Sequence, residues 1–431
     1  MELFMQKNKL IRLGILGALI IIMSQNTIIA QNHYVGMDLS MLTKYEEHNK
    51  PYLDKDGGEI KDMLEWIPSI GVNTVRVRLF VNPTEPNAKA PEGVCQDLDY
   101  VTKLGARIKA AGLNFMLDLH YSDSWADPTN QKLPASWKEC ITVEQKAEKI
   151  YDYTSEILNS LVAASATPDF VQVGNEISYG IIGINVHPYD NASDEWDDFV
   201  KVLENGSKAV REKCPNAKII IHTERSGNAE QTIYFYNKLN ALDYDIIGLS
   251  YYPFWHGYLN KLEETLSALG KNFPSKEVQI VETAYYNNWF PSSGITYNTS
   301  TTWAASDDGQ KAFIEQLVET LAKYQQVNGL CYWFPEEAGC GDDTNWDASN
   351  TATVIQNWLN RGLWWPEADE KGHWPTSALY SLGNYAASAL EDDIKDDSSG
   401  DTQKYNLSGL RISNPKRGEV YIQNGIKKTG L

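Results

Sequence analysis

Two glutamates stand at the ends of apolar runs. Glu176 closes FVQVGNE (Phe170–Glu176), and Glu282 lies in EVQIVETAY (Glu277–Tyr285). A pair of carboxyls across one bond is what glycoside hydrolysis needs: one protonated, to donate to the leaving oxygen, and one ionised, to attack the anomeric carbon. Either glutamate alone reads as a cap for a following helix. Asn175 directly before Glu176, and polar or aromatic residues closing almost every comparable run, favour a site. Those closing residues are Asp38, Arg78, His120, Asn175 and Glu176, His222, Tyr251 and Tyr252, Glu282, and Trp333.

The elements that must carry them are eight short apolar, β-branched runs bounded by turn residues. They are Tyr34–Ser40, Val72–Phe80, Leu113–Tyr121, Phe170–Glu176, Ala217–Glu224, Tyr244–Tyr252, Glu277–Tyr285 and Val327–Pro335. Helix-period segments fill the gaps, such as DLDYVTKLGARIKAAG before the third run and DGQKAFIEQLVETLAKYQQ before the eighth. Gly71 and Gly112 stand where helix C-caps belong. Eight strands alternating with helices predict an α/β fold, a (β/α)₈ TIM barrel spanning 31–390. A two-domain doubly wound fold gives the same alternation. The barrel is preferred because it gathers all the polar strand ends at one mouth.

Composition narrows the partners. In 431 residues, 57 acidic against 38 basic side chains give a formal net charge of −19. That balance argues against nucleic acid and against an anionic membrane surface, both of which need a basic patch. Thirteen Trp and 24 Tyr supply flat faces on which sugar rings stack. Residues 1–30 read as a signal peptide: Lys7, Lys9 and Arg12 precede the apolar run Leu13–Met23, and cleavage is expected after Ala30. The protein is therefore expected to be exported, to the periplasm, the cell surface or the medium. No later stretch approaches the ~18 apolar residues of a membrane span, so no transmembrane segment is expected in the mature chain. Five cysteines permit at most two bridges, Cys95 with Cys140 and Cys331 with Cys340, leaving Cys214 unpaired; none has a zinc spacing. Residues 391–404 read as an acidic linker. Residues 405–431 read as a short C-terminal tail of two strands around a turn, similar to the sorting tails of exported bacterial proteins.

Longer motifs add a resemblance. DLHYSDSWADPTNQKLPASW (Asp118–Trp137), VQVGNEISYG (Val171–Gly180), IGLSYYPFWHG (Ile247–Gly257) and VETAYY (Val281–Tyr286) resemble the arabinogalactan endo-β-1,4-galactanases, glycoside hydrolase family 53. VNTVRVRLFVNP (Val72–Pro83), GLWW (Gly362–Trp365) and HWPTSALYSLGNY (His373–Tyr385) fit as well. The likeness runs from about Tyr34 to Tyr385. It implies an endo-acting, retaining hydrolase of β-1,4-galactan, with Glu176 as acid/base and Glu282 as nucleophile, their carboxyls about 5–5.5 Å apart. It further implies that Arg78 holds Glu282 ionised, that Asn175 bonds the sugar 2-hydroxyl, and that Tyr251 or Tyr252 donates to the nucleophile. His120 reads as a donor to the sugar at subsite −1. Asp38 reads equally as a sugar ligand or a helix cap. Trp255 and Trp333 are the expected stacking platforms, whereas His222 and Glu224 read as structural.

One departure concerns metal. Many bacterial relatives carry an acidic calcium segment after the seventh strand, where this chain reads YYNNWFPSSG. No cofactor is expected; a structural calcium at the acidic segment Gly341–Asp347 is the alternative. A monomer is expected. Two competing readings are a clan relative acting on another β-linked polysaccharide, such as mannan, and a catalytically dead carbohydrate-binding surface protein. The long motifs after the third and sixth strands argue against the first. The intact Asn175, Glu176 and Glu282 argue against the second.

Overall fold

The computed structural model describes residues 33–48, 51–83, 93–189, 195–337, 360–366 and 372–386, together with short strands of the C-terminal tail within 404–429. The expected signal peptide, the linker up to residue 403, Cys340 and the acidic segment Gly341–Asp347 lie outside the described residues.

Eight parallel strands close into a barrel in which each pairs with its neighbour in sequence and the last pairs with the first. They are β1 (Tyr34–Asp38), β2 (Thr74–Leu79), β3 (Asn114–Leu119), β4 (Phe170–Val173), β5 (Lys218–Thr223), β6 (Ile246–Ser250), β7 (Glu277–Glu282) and β8 (Val327–Trp333). Each lies inside one of the eight predicted runs. Helices return the chain between them, α1 (Met63–Trp66, tightening into a 3₁₀ turn at Ile67–Ile70), α2 (Leu98–Ala110), α3 (Val143–Ala163), α4 (Trp196–Lys213), α5 (Ala229–Lys238), α6 (Leu259–Asn272), α7 (Asp307–Leu321) and α8 (Ser377–Leu382). Local chemistry sets their ends. Thr142 and Gln145 form a capping box at the start of α3, and Asp97 accepts the Tyr100 N–H at the start of α2. Gly71 closes the α1 turn at φ 90°, where a Cβ would lie 3.0 Å from the backbone of Gly383 just after α8. Only glycine suits both the conformation and that approach.

The barrel has two cores. The outer one packs strands against helices: α3 alone buries Ala147, Ile150, Ile157, Leu158 and Leu161, each large aliphatic contributing roughly 1.5–3 kcal/mol. The inner one is a small apolar plug of Met116, Phe170, Ile220, Ile246 and Val281. Because strand side chains alternate, the residue two positions beyond a plug residue also faces inward. On three strands those positions are polar: Asp118 after Met116, Gln172 after Phe170, His222 after Ile220. The plug thus carries a polar layer directly above it, at the mouth.

Strand β7 breaks that alternation. Leu249 pairs with Ile280, but Ser250 pairs with Glu282, so Val281 is an extra residue in the register. Ile280 belongs to the outer core and Val281 to the inner plug. Strict alternation would send Glu282 outward with Ile280; the shift turns it into the mouth beside Ser250.

The tail holds four short antiparallel strands, Lys404–Asn406, Arg411–Ile412, Val420–Gln423 and Ile426–Thr429, rather than the two expected. Among the described residues no helix is long and apolar enough to cross a membrane.

Candidate active site

The polar strand ends open into a cleft of about 240 Å³ at the barrel mouth. Its walls include His120, Trp125, Asn175, Glu176, Tyr252, Trp255, Glu282, Trp333 and Arg361. A second cavity of about 560 Å³ continues from it, sharing Trp255 and Arg361 and extending to Trp289 and Phe290.

Glu282 is 6% exposed and held from two sides. Arg76 approaches one carboxylate oxygen at 2.9 Å, and the Tyr252 hydroxyl donates to the other at 2.8 Å. Arg76 is itself buried and also binds Asp38 at 2.7 Å, Asp118 at 2.8 Å and the Asn175 side-chain oxygen at 2.9 Å. Burial works against the Arg76 charge, but Asp118, Glu282 and Asp38 together hold its pKa well above the usual arginine value. Burial likewise raises the Glu282 pKa above the ordinary carboxylate value, with Arg76 the largest influence pulling it back.

Glu176 has a different setting. It occupies a left-handed backbone conformation, φ 46° and ψ 51°, which non-glycine residues adopt at a cost and chiefly at functional sites. Its Oε1 accepts from the Ser250 hydroxyl at 2.6 Å, and no cation is paired with it among the described residues. Burial pushes its pKa well above the carboxylate range, and the neighbouring Glu282 and Glu224 charges push it further. Ser250 Oγ also lies 3.5 Å from Glu282 Oε2. One hydroxyl therefore touches both carboxyls, which limits these two oxygens to a separation of about 6 Å, short of the roughly 6.5–9.5 Å spread of inverting glycosidases.

Residues 34–377 match the family model of Glycosyl hydrolase family 53. The chain belongs to this family. It is 31% identical over 379 residues to the arabinogalactan endo-β-1,4-galactanase of Cellvibrio japonicus, covering 84% of this chain and 95% of that protein. It is 28% identical over 376 residues to the endo-β-1,4-galactanase of Bacillus subtilis, covering 83% and 84%. Among solved structures, the family 53 catalytic domain of Ignisphaera aggregans superposes with a TM-score of 0.70 at 27% identity, covering 83% of this chain and 97% of that one.

Within this family 53 barrel, several expected residues take other positions. Arg78 does not reach Glu282: it binds Asp38 at 3.2 Å and the Gly93 carbonyl, under the faces of Trp125 and Phe334. Arg76, one inward-facing step deeper, reaches the Glu282 carboxylate instead, its side chain extending up the barrel. Asp38 is fully buried and bridges the two arginines rather than lining the cleft. Tyr251 points away and donates to the Gly257 carbonyl, which settles the choice in favour of Tyr252. His120 does line the cleft, but its Nδ1 accepts the Ala126 N–H at 3.1 Å and its Nε2 lies 3.0 Å from Asp118. Both ring nitrogens are thus committed, so His120 faces the cleft without the spare donor that was expected of it. Asn175, Trp255 and Trp333 stand in the cleft as expected.

The sequence reading missed Arg76, Ser250 and Arg361. Arg361 sits 5.3 Å from the Trp333 ring centre and 5.9 Å from that of Trp255. Its one sequence signal was its place directly before the quoted GLWW motif. The cysteines also depart from expectation: Cys95, Cys140, Cys214 and Cys331 are free thiols, and Cys95 lies against the Met41 sulfur instead of Cys140. Among the described residues no group of three or more His, Cys, Asp or Glu side chains is arranged to hold a metal.

Proposed function

We propose that the protein is an endo-acting β-1,4-galactanase that works with retention, Glu282 serving as nucleophile and Glu176 as acid/base. The observation that carries this reading is the asymmetry of two carboxyls touching one serine hydroxyl in a family 53 barrel. Arg76 and Tyr252 favour the ionised form of Glu282, while Glu176 is pushed toward the protonated form. In the first step a Glu282 oxygen bonds to the anomeric carbon as the glycosidic bond breaks. The leaving oxygen takes the Glu176 proton. In the second, water attacks the anomeric carbon, Glu176 accepts the water proton, and the bond to Glu282 breaks. Asn175 gives one amide hydrogen to the Ala126 carbonyl, leaving the other for the sugar 2-hydroxyl. Tyr252 stays protonated, since burial and the Glu282 charge raise its pKa well above that of free tyrosine.

Internal cleavage is favoured by the continuation of the cleft past Trp255 and Arg361 into the second cavity. A polymer can run through this groove and stack at several points, and binding remote from the scissile bond helps to distort the ring at subsite −1. The purified protein should cleave galactan in preference to mannan and xylan, with viscosity falling faster than reducing ends appear. Galactose as the sole early product at unchanged viscosity would overturn the endo reading. The first product seen by NMR should carry the β configuration.

The same proposal covers what surrounds the chemistry. Two carboxylates suffice for the reaction, so activity should survive EDTA; loss restored by calcium would implicate Gly341–Asp347. Export of a monomer is proposed from the basic and apolar segments of residues 1–30, and a mature N-terminus at Gln31 would support it.

A further inference from the structure

We propose that His222 and Ser250 form a positioning pair for the acid/base carboxyl, fixing both the backbone of Glu176 and the oxygen that carries its transferable proton. The inference rests on the acid/base role given to Glu176 above. A closed circuit of hydrogen bonds supports it. The Glu176 backbone N–H points at His222 Nδ1, 3.4 Å away; His222 Nε2 lies 2.8 Å from Ser250 Oγ; Ser250 Oγ lies 2.6 Å from Glu176 Oε1. The circuit begins and ends on the same residue.

Its direction follows from groups that cannot reverse. Two kinds of group face His222 Nδ1: the Glu176 N–H, which can only donate, and Asn175 Oδ1 at 3.0 Å, which can only accept but already takes a hydrogen from Arg76 at 2.9 Å; Nδ1 is therefore assigned as the acceptor of the Glu176 N–H. The Gln172 amide nitrogen, 3.0 Å away, donates to it as well, since that nitrogen also faces the Asp118 carboxylate at 2.6 Å. With Nδ1 accepting, a neutral ring carries its hydrogen on Nε2 and gives it to Ser250. Ser250 then has one hydrogen to give, and the nearer acceptor is Glu176 Oε1 rather than Glu282 Oε2 at 3.5 Å. With Oε1 occupied, the transferable proton of Glu176 sits on Oε2. The ring is fully buried; burial, and then the Arg76 charge, hold its pKa well below the usual histidine value, so it stays neutral.

Two features explain why such a device is built here. Among the described residues Glu176 is one of only a few non-glycines with positive φ, and the bond from its N–H to His222 helps retain that backbone. Ser250 is brought beside Glu282 by the register shift at Val281, so one bulge places both the nucleophile and the hydroxyl serving its partner. Ser250 is therefore well placed to keep serving Glu176 after the first step, when that carboxyl is ionised and must act as base.

The test compares Ser250→Ala, His222→Asn and His222→Gln with wild type on galactan and on a dinitrophenyl β-galactobioside, whose leaving group needs no proton. The charged groups facing Glu176 are Glu282 on β7, Glu224 after β5 and Asp127 after β3, and all three stay in place in these variants. Ser250→Ala and His222→Asn should lose roughly 10–100-fold in kcat/KM on galactan and less than about threefold on the activated substrate. His222→Gln, whose amide can donate near the Nε2 position, should keep most of the activity. In Ser250→Ala the alkaline limb of the pH profile should move upward, because a donor to the ionised carboxyl is gone. Equal losses on both substrates with an unmoved limb, or a Gln variant as damaged as Asn, would overturn the pairing. Wild-type protein inactive on both substrates would instead overturn the underlying galactanase reading. Melting curves identify a variant that fails to fold; if His222→Asn does, the Ser250→Ala split and limb shift decide alone.

Discussion

Glu176 and Glu282 are the same residue type at the ends of two strands of one barrel, yet their surroundings differ at almost every contact. Glu282 lies over Arg76, the hub of a buried layer that also holds Asp38 and Asp118, and takes a second donor from Tyr252. Glu176 sits on a strained turn, meets a single neutral hydroxyl, and faces Glu282 and Glu224. What lies beneath each carboxyl sets its preferred charge. A cation below favours the charge a nucleophile needs, whereas burial near other carboxylates favours the proton an acid must carry.

The largest effect is expected from Glu282→Ala, which should lower kcat on galactan by on the order of 10⁴-fold or more. Azide should restore turnover of an activated β-galactoside and yield the inverted glycosyl azide. Glu176→Ala comes next, with a loss of roughly 10²–10⁴-fold on galactan and far less on substrates with good leaving groups. Equal losses on both would remove Glu176 from the acid role.

Changing the ground beneath Glu282 should sharpen the contrast. Arg76→Met leaves Asp38, Asp118 and Glu282 buried without their shared cation, so thermal or chaotrope unfolding should show a destabilisation of about 3–5 kcal/mol. Its acidic limb should also move. That limb reports ionisation of the nucleophile; Arg76 lowers the Glu282 pKa, so removing it should shift the limb to higher pH. An unmoved limb in folded Arg76→Met would mean that the cation does not set the state of Glu282. The smallest effect is expected from Trp255→Ala, 41% exposed at the rim. Losing one stacking face should cost about 1 kcal/mol, read as a several-fold fall in kcat/KM on polymer with little change on a short aryl galactoside.

Much of this was legible in the chain itself. All eight barrel strands fall inside apolar, β-branched runs, because a parallel strand buried on both faces needs that composition. The proposed catalytic pair was legible because its carboxylates end such runs. What escaped was set by depth and phase. Arg76 and Arg78 face the same way along β2, and spacing does not tell which one extends up to the mouth and which turns aside to Gly93. Tyr251 and Tyr252 were separable only once the register was known. A register shift at Val281 leaves no mark in composition, so Ser250 looked like any strand serine. His222 read as structural since a buried histidine is usually satisfied by neighbours; here Gln172, Asn175 and Ser250 surround it, and the Glu176 N–H points at it as well. Cys95 and Cys140 fall in consecutive loops, but proximity in sequence did not bring them together.

Trapping the glycosyl-enzyme distinguishes attack by Glu282 from attack by Glu176. A 2-deoxy-2-fluoro-β-galactobiosyl fluoride should inactivate the enzyme by leaving a galactobiosyl ester on the nucleophile, which mass spectrometry of a digest can locate. A single label is expected on Glu282, in the segment EVQIVETAY, and none on Glu176. A label on Glu176, or galactan hydrolysed to a first product of inverted configuration with no label at all, would contradict attack by Glu282.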